Sequence, residues 1–343
     1  MAHQSLYRAY RPQTFDEVAG QEQVTKPLEE AAKAKKAGHA YLFAGSRGLG
    51  KTTVARILAR ELGCSERDLV EVDAASNNSV EDIRALTEGA YTLPFESPYK
   101  VYILDEVHML SKSAWNAFLK TLEEPPAHAI FILATTELDR VPETVQSRCQ
   151  VFEFKKPSRQ GLAELARAVA KKEGATLERD AAELIALLAE GSYRDALSIL
   201  QKVLASSSDK RLTREEVEKT TGAPKREQVH ALVVAIASGD RPRALGAVEK
   251  AAKSSVDMRL YLDLVISALR SALLLRYAPD LKADITAELG EEEAQALSAL
   301  PSPGITHATL LAFLTAAERI RYAPIPALPL ELAVLEALGS DDA

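Results

Sequence analysis

A chain of 343 residues has room for two or three domains that each bury a core. Its 47% hydrophobic and 27% charged residues are a globular composition, and no run approaches the roughly 18 consecutive apolar residues of a membrane span. Net charge is −7, with 19 Lys and Arg against 22 Asp and Glu over residues 1–157. That balance speaks against a dedicated nucleic-acid-binding domain, which carries a basic excess; any such contact has to be local or shared among subunits. Cys64 and Cys149 form no disulfide framework. "MAHQSLYRAYRPQTF" lacks the apolar centre of a signal peptide, and a cytoplasmic location is expected.

Four runs share one design: "HAYLFAG" (39–45), "LVEVDAAS" (69–76), "VYILDE" (101–106) and "AIFILATTE" (129–137). Each is rich in β-branched or aromatic residues and ends in small or polar ones. Runs that are apolar on both faces, with helical segments between them, predict a parallel sheet covered on both sides. Ligands of such sheets bind beyond the carboxyl ends of the strands, where these polar residues fall. "TVQSRCQVFEF" (144–154) predicts a further strand burying Cys149, Val151, Phe152 and Phe154, with Arg148 at its mouth. No acid lies within four positions of Arg148, so it reads as an unpaired arginine on the surface.

After "KKPSR" (155–159) the strand signals stop. Residues 160–205 predict three helices broken at Gly174 and Gly191, with Asp180 and Ser192 as N-caps. From Pro224 to 338 the pattern is again helical, and the tail "GSDDA" is expected to fray. The expected organisation is an α/β parallel-sheet P-loop domain over 1–157, a small helical domain over 158–222 and an all-helical domain over 223–343.

"GSRGLGKT" (45–52) fits G-x-x-x-x-G-K-[ST] between a predicted strand and a predicted helix, the context that identifies a phosphate-binding loop. Its glycines let backbone N–H groups converge on phosphate oxygens, and the helix N-terminus adds partial positive charge. Gly45, Ser46, Arg47, Gly48, Leu49, Gly50, Lys51, Thr52 and Thr53 are thus candidates to hold a nucleotide. Lys51 reaches the β- and γ-phosphates and Thr52 holds Mg²⁺. Asp105 and Glu106 end a buried strand, where adjacent carboxylates repel each other and lose solvation, so a structural role alone does not explain them. Asp105 is expected to orient the Mg²⁺ shell and Glu106 to act as general base toward the attacking water.

Thr135 and Thr136 end the neighbouring strand, where a hydroxyl can bond the γ-phosphate or its water, or merely cap a turn. Arg194, in "EGSYRDALSIL", sits in a first helical turn against the macrodipole, which implies a nearby anion or a pairing with Asp195 or Glu190. Trp115, Phe118, Leu119 and Leu122 follow the stripe of a buried helix face, which favours core over base stacking. His108 reads as a packed or capping histidine, with no second ligand at metal spacing.

Together, "LYRAYRPQTFDEVAGQEQV", "GSRGLGKTTVARILA", "EVDAASNNSVEDIR", "VYILDEVHMLSKSAWNAFLKTLEEPP", "ILATTELDRVPETVQSRCQ" and "GSYRDALSIL" resemble the bacterial DNA polymerase III gamma/tau family, the sliding-clamp-loader ATPases within AAA+. The resemblance is dense to about residue 205. It implies an ATP-hydrolysing, Mg²⁺-dependent clamp-loader subunit that places the clamp on primer–template DNA. It further implies a helical lid at 158–222 and a collar at 223–343 joining delta, delta-prime and further gamma copies.

By position, the resemblance implies that "RPQTF" lies over the adenine and that Thr136, or less readily Thr135, is sensor 1. It likewise implies that Arg194 is sensor 2 and that Arg148 in "SRC" is an arginine finger serving the neighbouring subunit. Two departures stand out. The family's four-cysteine zinc module is reduced to Cys64 in a shortened segment, and one thiol does not bind structural zinc, so none is expected. The chain also stops at the collar, a gamma length by truncation or by nature. Alternatives are a non-hydrolysing, delta-prime-like scaffold subunit or another DNA-associated AAA+ ATPase.

Overall fold

The computed structural model describes residues 4–339 except 35, 208, 255, 290, 302 and 303, together with all their side chains but those of 287, 288 and 292. The tail expected to fray lies, beyond Gly339, outside the described residues. By packing, the chain divides into two compact units, Met1–Leu162 with Leu187–Ser198 and Ala163–Ala186 with Ile199–Ala343.

The first unit is built on strands β1 (Ala40–Ala44), β2 (Leu69–Asp73), β3 (Lys100–Asp105), β4 (Ala129–Thr135) and β5 (Gln150–Glu153). They form one parallel sheet in the order β2-β3-β4-β1-β5. Alternate residues serve opposite faces. Tyr41, Phe43, Val101, Ile103, Ile130 and Ile132 pack with Val54, Ile57 and Leu58 of the helix Lys51–Glu61. Leu42, Tyr102, Leu104, Phe131 and Leu133 pack with Trp115, Phe118 and Leu122 of the helix Lys112–Glu123. The expected two-sided sheet and the core role of Trp115 are therefore observed. Each large apolar side chain fully buried here contributes roughly 1.5–3 kcal/mol of transfer free energy, which is why the central strands read as continuous apolar runs.

β5 departs from expectation. It is an edge strand, and Val151 is exposed while Phe154 is buried and Cys149 and Phe152 are partly covered. Phe152 packs edge-on against Phe43 at 6.0 Å between ring centroids.

Buried Asp68, just before β2, anchors a distant loop. Its carboxylate accepts backbone N–H groups from Phe95 (2.5 Å), Glu96 (3.0 Å) and Ser97 (2.9 Å). Burial pushes its carboxyl upward, but the donors of Glu96, Phe95 and Ser97 outweigh that and hold it far below the usual carboxylate range. Because the folded carboxyl is the more acidic, its stabilisation is complete above the unfolded carboxylate range near pH 4 and is lost as pH falls toward the folded value. Asp68→Asn, with one acceptor oxygen, is expected to lower the Tm at pH 7. The gap to wild type should close only in strong acid. Equal melting of the two proteins at pH 7 by circular dichroism would refute this.

In the second unit, the helices Leu232, Val233 and Ile236 lie on (Arg226–Ala237) and Tyr261, Leu262, Val265 and Leu269 lie on (Met258–Tyr277) share a core with Phe313, Leu330 and Val334. The helices expected around Gly174 and Gly191 form as Arg159–Lys172, Arg179–Leu188 and Tyr193–Ser206. Ser192 caps the last of these, its Oγ accepting the Asp195 N–H at 3.2 Å. Asp180 is not a cap: it lies inside the first turn and accepts its neighbour's N–H, from Ala181. Thr176–Leu177 and Arg211–Leu212 pair as a two-residue parallel ladder, too short to leave a periodic signal.

A candidate phosphate-binding and hydrolytic site

Beyond the carboxyl end of β1, the chain turns through Gly45–Gly50 into the helix Lys51–Glu61. Gly48 has φ +78°, and a Cβ there would stand 2.0 Å from Ser192 Oγ. Tyr193 N–H donates to Gly48 O at 3.2 Å, so the helix carrying Arg194 begins against this loop. Lys51 is buried, and its Nζ donates to Gly45 O (2.6 Å) and Ser46 O (2.9 Å). Burial lowers its pKa, with Glu106 and Asp105 opposing the shift. An anion beside the ammonium would reverse it. Leu49 turns its side chain into the core, leaving only its backbone for a ligand, while Ser46 and Arg47 are exposed.

At the end of β3, Asp105 Oδ2 accepts the Thr52 hydroxyl at 2.8 Å. The hydroxyl and carboxylate oxygens suit a hard divalent cation that keeps several of its waters, so the residues fit Mg²⁺. Glu106 stands in the left-handed region at φ +51°, a conformation that costs of order 1–3 kcal/mol for a residue other than glycine. Its Oε2 accepts the Thr136 hydroxyl at 3.0 Å. Thr135 is fully buried and turns instead to His108 Nδ1, 3.1 Å away. Of the two threonines, Thr136 is the one that meets the Glu106 carboxylate. His108 is packed, as expected.

Arg194 lies in the first turn of its helix, with its guanidinium 4.7 Å from the centroid of the Tyr7 ring. The aromatic face meets the cation, and among the interactions described neither Asp195 nor Glu190 forms the alternative pair with it. Arg11, in "RPQTF", donates from Nε to Thr53 Oγ1 at 2.9 Å, tying the N-terminal segment to the phosphate-loop helix. Burial lowers the pKa of Arg11, with Arg56 adding to the shift. Tyr7 and Arg11 lie in the quoted N-terminal stretch, but no sequence pattern pointed to the contacts with Arg194 and Thr53.

Arg148 corrects the expectation of an unpaired arginine. Its Nη2 lies 2.6 Å from Glu123 Oε1 and its Nη1 donates to Thr144 O at 2.6 Å. Glu123 is 25 residues away in sequence, at the end of the helix Lys112–Glu123. Lys51, Thr52, Asp105, Glu106, Thr136 and Arg194 converge around the phosphate loop, whereas Arg148 is engaged elsewhere on the surface.

Residues 20–78 and 67–158 match the family described as DNA polymerase III, delta subunit. Residues 162–209 match the DNA polymerase III clamp loader subunit, ATPase lid domain, and 212–342 match DNA polymerase III subunits gamma and tau domain III. The tau subunit of Bacillus subtilis is 45% identical over 230 residues, covering 61% of this chain and 41% of that one. The chain belongs to the DNA polymerase III gamma/tau family. The gamma/tau subunit of Mycoplasma genitalium is 41% identical over 239 residues, 64% of this chain and 40% of the relative. The gamma subunit of Buchnera aphidicola is 39% identical over 230 residues, 61% of this chain and 63% of its own length. The chain thus spans about two fifths of the first two relatives. Among solved structures, the RuvB Holliday junction branch migration motor of Thermotoga maritima shares the fold. Its TM-score is 0.54 at 24% identity, with 85% of this chain and 88% of that one covered. No helix among the described residues is long and apolar enough to cross a membrane.

Proposed function

We propose that the chain is an ATP-hydrolysing subunit of the replicative clamp loader, driving the loading of a sliding clamp onto primer–template DNA. The observation that carries this reading is the convergence of Lys51, Thr52, Asp105 and Glu106 on one glycine-rich loop, in a chain of the gamma/tau family. Mg²⁺, when bound, neutralises charge on the β- and γ-phosphate oxygens. Thr52 and Asp105 would hold it, and loop N–H groups and Lys51 would take the phosphates. Glu106 would accept the proton of the attacking water while Thr136 holds its other contact. Arg194 would reach the γ-phosphate from the same chain and Arg148 from a neighbouring one.

The matched lid and domain III stretches support a domain plan of 1–157, 158–222 and 223–343, with the last as the collar. Through it the chain would assemble with delta, delta-prime and further gamma copies. A net charge of −7 favours DNA held by several subunits together, through helix N-termini and scattered basic side chains.

The test is phosphate release by the assembled complex with clamp and primed DNA, scored alongside clamp retained on the DNA. Glu106→Gln is expected to lower turnover by about 10²–10⁴-fold, the usual contribution of a general base, and to stop multiple rounds of loading. A wild-type complex that loads clamps with no turnover from this chain would make it a scaffold subunit. Strand displacement without a clamp would make it a different DNA motor.

A further inference from the structure

We propose that His108 is a positioning residue for Glu106, tying together the ends of β3 and β4 so that the hydrolytic carboxylate and Thr136 keep a fixed separation. The inference rests on the hydrolytic reading of the site.

The backbone does not provide this tie. The β3–β4 register runs from Lys100↔Ala129 to Leu104↔Leu133 and stops there. Asp105 and Glu106 on one strand end, and Ala134, Thr135 and Thr136 on the other, lie beyond that β3–β4 register, although Asp105 still pairs with Asp73 of β2, and Ala134 and Thr135 with Phe43 and Ala44 of β1. Glu106 also sits in a left-handed conformation that its own local structure does not favour. What spans the gap is side chains. Thr136 donates to Glu106 Oε2 at 3.0 Å, and the nearly buried His108 ring fills the rest.

The ring has a chemical partner on each nitrogen. Nδ1 lies 3.1 Å from Thr135 Oγ1 and Nε2 lies 3.3 Å from Glu137 Oε1, while Glu106 Oε2, 3.5 Å from Nδ1, is a close neighbour and not a bonded partner. Thr135 Oγ1 already accepts the Glu137 N–H at 3.0 Å, which leaves its hydroxyl hydrogen free to point at Nδ1. The Nε2 hydrogen then serves Glu137, whose second oxygen is held by Arg140 at 2.9 Å. Every donor in the chain Thr135–His108–Glu137 finds an acceptor in this arrangement. A histidine buried only to fill space needs none of these contacts. This one is bonded on both sides to the strand end facing the carboxylate.

The two nitrogens are separable by substitution. Asparagine places a polar atom near the Nδ1 position and cannot reach Glu137; alanine removes both contacts. His108→Ala is expected to lower kcat by about 10- to 100-fold, the usual cost of losing an orienting partner. The Kd for Mg·ATP, read by direct nucleotide binding, should stay within about twofold, because Lys51 and the loop are untouched. His108→Asn should recover most of the lost kcat, and His108→Gln, which reaches toward Glu137, should recover less. Three results would each overturn the proposal: unchanged kcat in His108→Ala, kcat and binding lost together in both His108→Ala and His108→Asn, or His108→Asn no better than His108→Ala. A wild-type chain without turnover, or a Glu106→Gln variant at the wild-type rate, would instead overturn the hydrolytic reading, and this proposal with it.

Discussion

Lys51→Ala is expected to abolish ATP hydrolysis while leaving the protein folded. Among the described residues, the Lys51 ammonium donates to the carbonyls of Gly45 and Ser46, within its own loop. Its pKa is already depressed by burial, so the folded protein holds this charge at a cost rather than depending on it. Removing it takes away two hydrogen bonds and a buried charge together, and their effects on stability oppose each other. At the phosphate they do not: a charge-assisted contact to the γ-phosphate is lost where charge builds in the transition state. The loss of a single such donor costs about 10²–10³-fold in rate, and loss of the cation also weakens binding. Phosphate release measured beside a thermal melt decides the point. Wild-type turnover in a folded Lys51→Ala protein would place the active site elsewhere.

How far this site can be read from sequence depends on how local its contacts are. "GSRGLGKT" is legible because strand, glycine turn and helix follow one another without interruption. "VYILDE" is legible because a continuous apolar run ending in two acids is hard to explain otherwise. The family resemblance favours Thr136 over Thr135, but the physical reason for the preference needed coordinates. Adjacent residues at a strand end face opposite ways, and only the fold shows that Thr135 turns into the core toward His108 while Thr136 turns to Glu106.

The contacts that sequence missed span long separations. Asp68 finds the N–H groups of 95–97, and Arg148 finds Glu123, 25 residues back. A search for acids within four positions detects helical pairs and nothing that the sheet topology brings together. Val151 was misjudged for a related reason. Strand pattern alone does not reveal that β5 is an edge, and an edge strand leaves side chains uncovered.

The pairing of Arg148 with Glu123 sharpens the last expected result rather than removing it. Both side chains are substantially exposed, and exposed ion pairs are worth about 0–1 kcal/mol. An arginine finger supplied in trans is worth about 10³–10⁵ in rate, which at 1.36 kcal/mol per decade is about 4–7 kcal/mol of transition-state stabilisation. The contact with phosphate is the stronger of the two, so an assembled ring would draw Arg148 away from Glu123 toward the neighbouring subunit's ATP. Arg148→Ala is therefore expected to leave nucleotide binding by the isolated chain unchanged and to cut hydrolysis by the ring by about 10³–10⁵-fold. Glu123→Gln, which only releases the arginine, should hydrolyse at least as fast as wild type. Rings that mix Arg148→Ala with Lys51→Ala subunits should regain part of the activity, because the intact Arg148 of one can serve the intact phosphate loop of the other. Clamp-stimulated hydrolysis that is the same in Arg148→Ala and wild-type rings would leave Arg148 as a surface partner of Glu123 and nothing more.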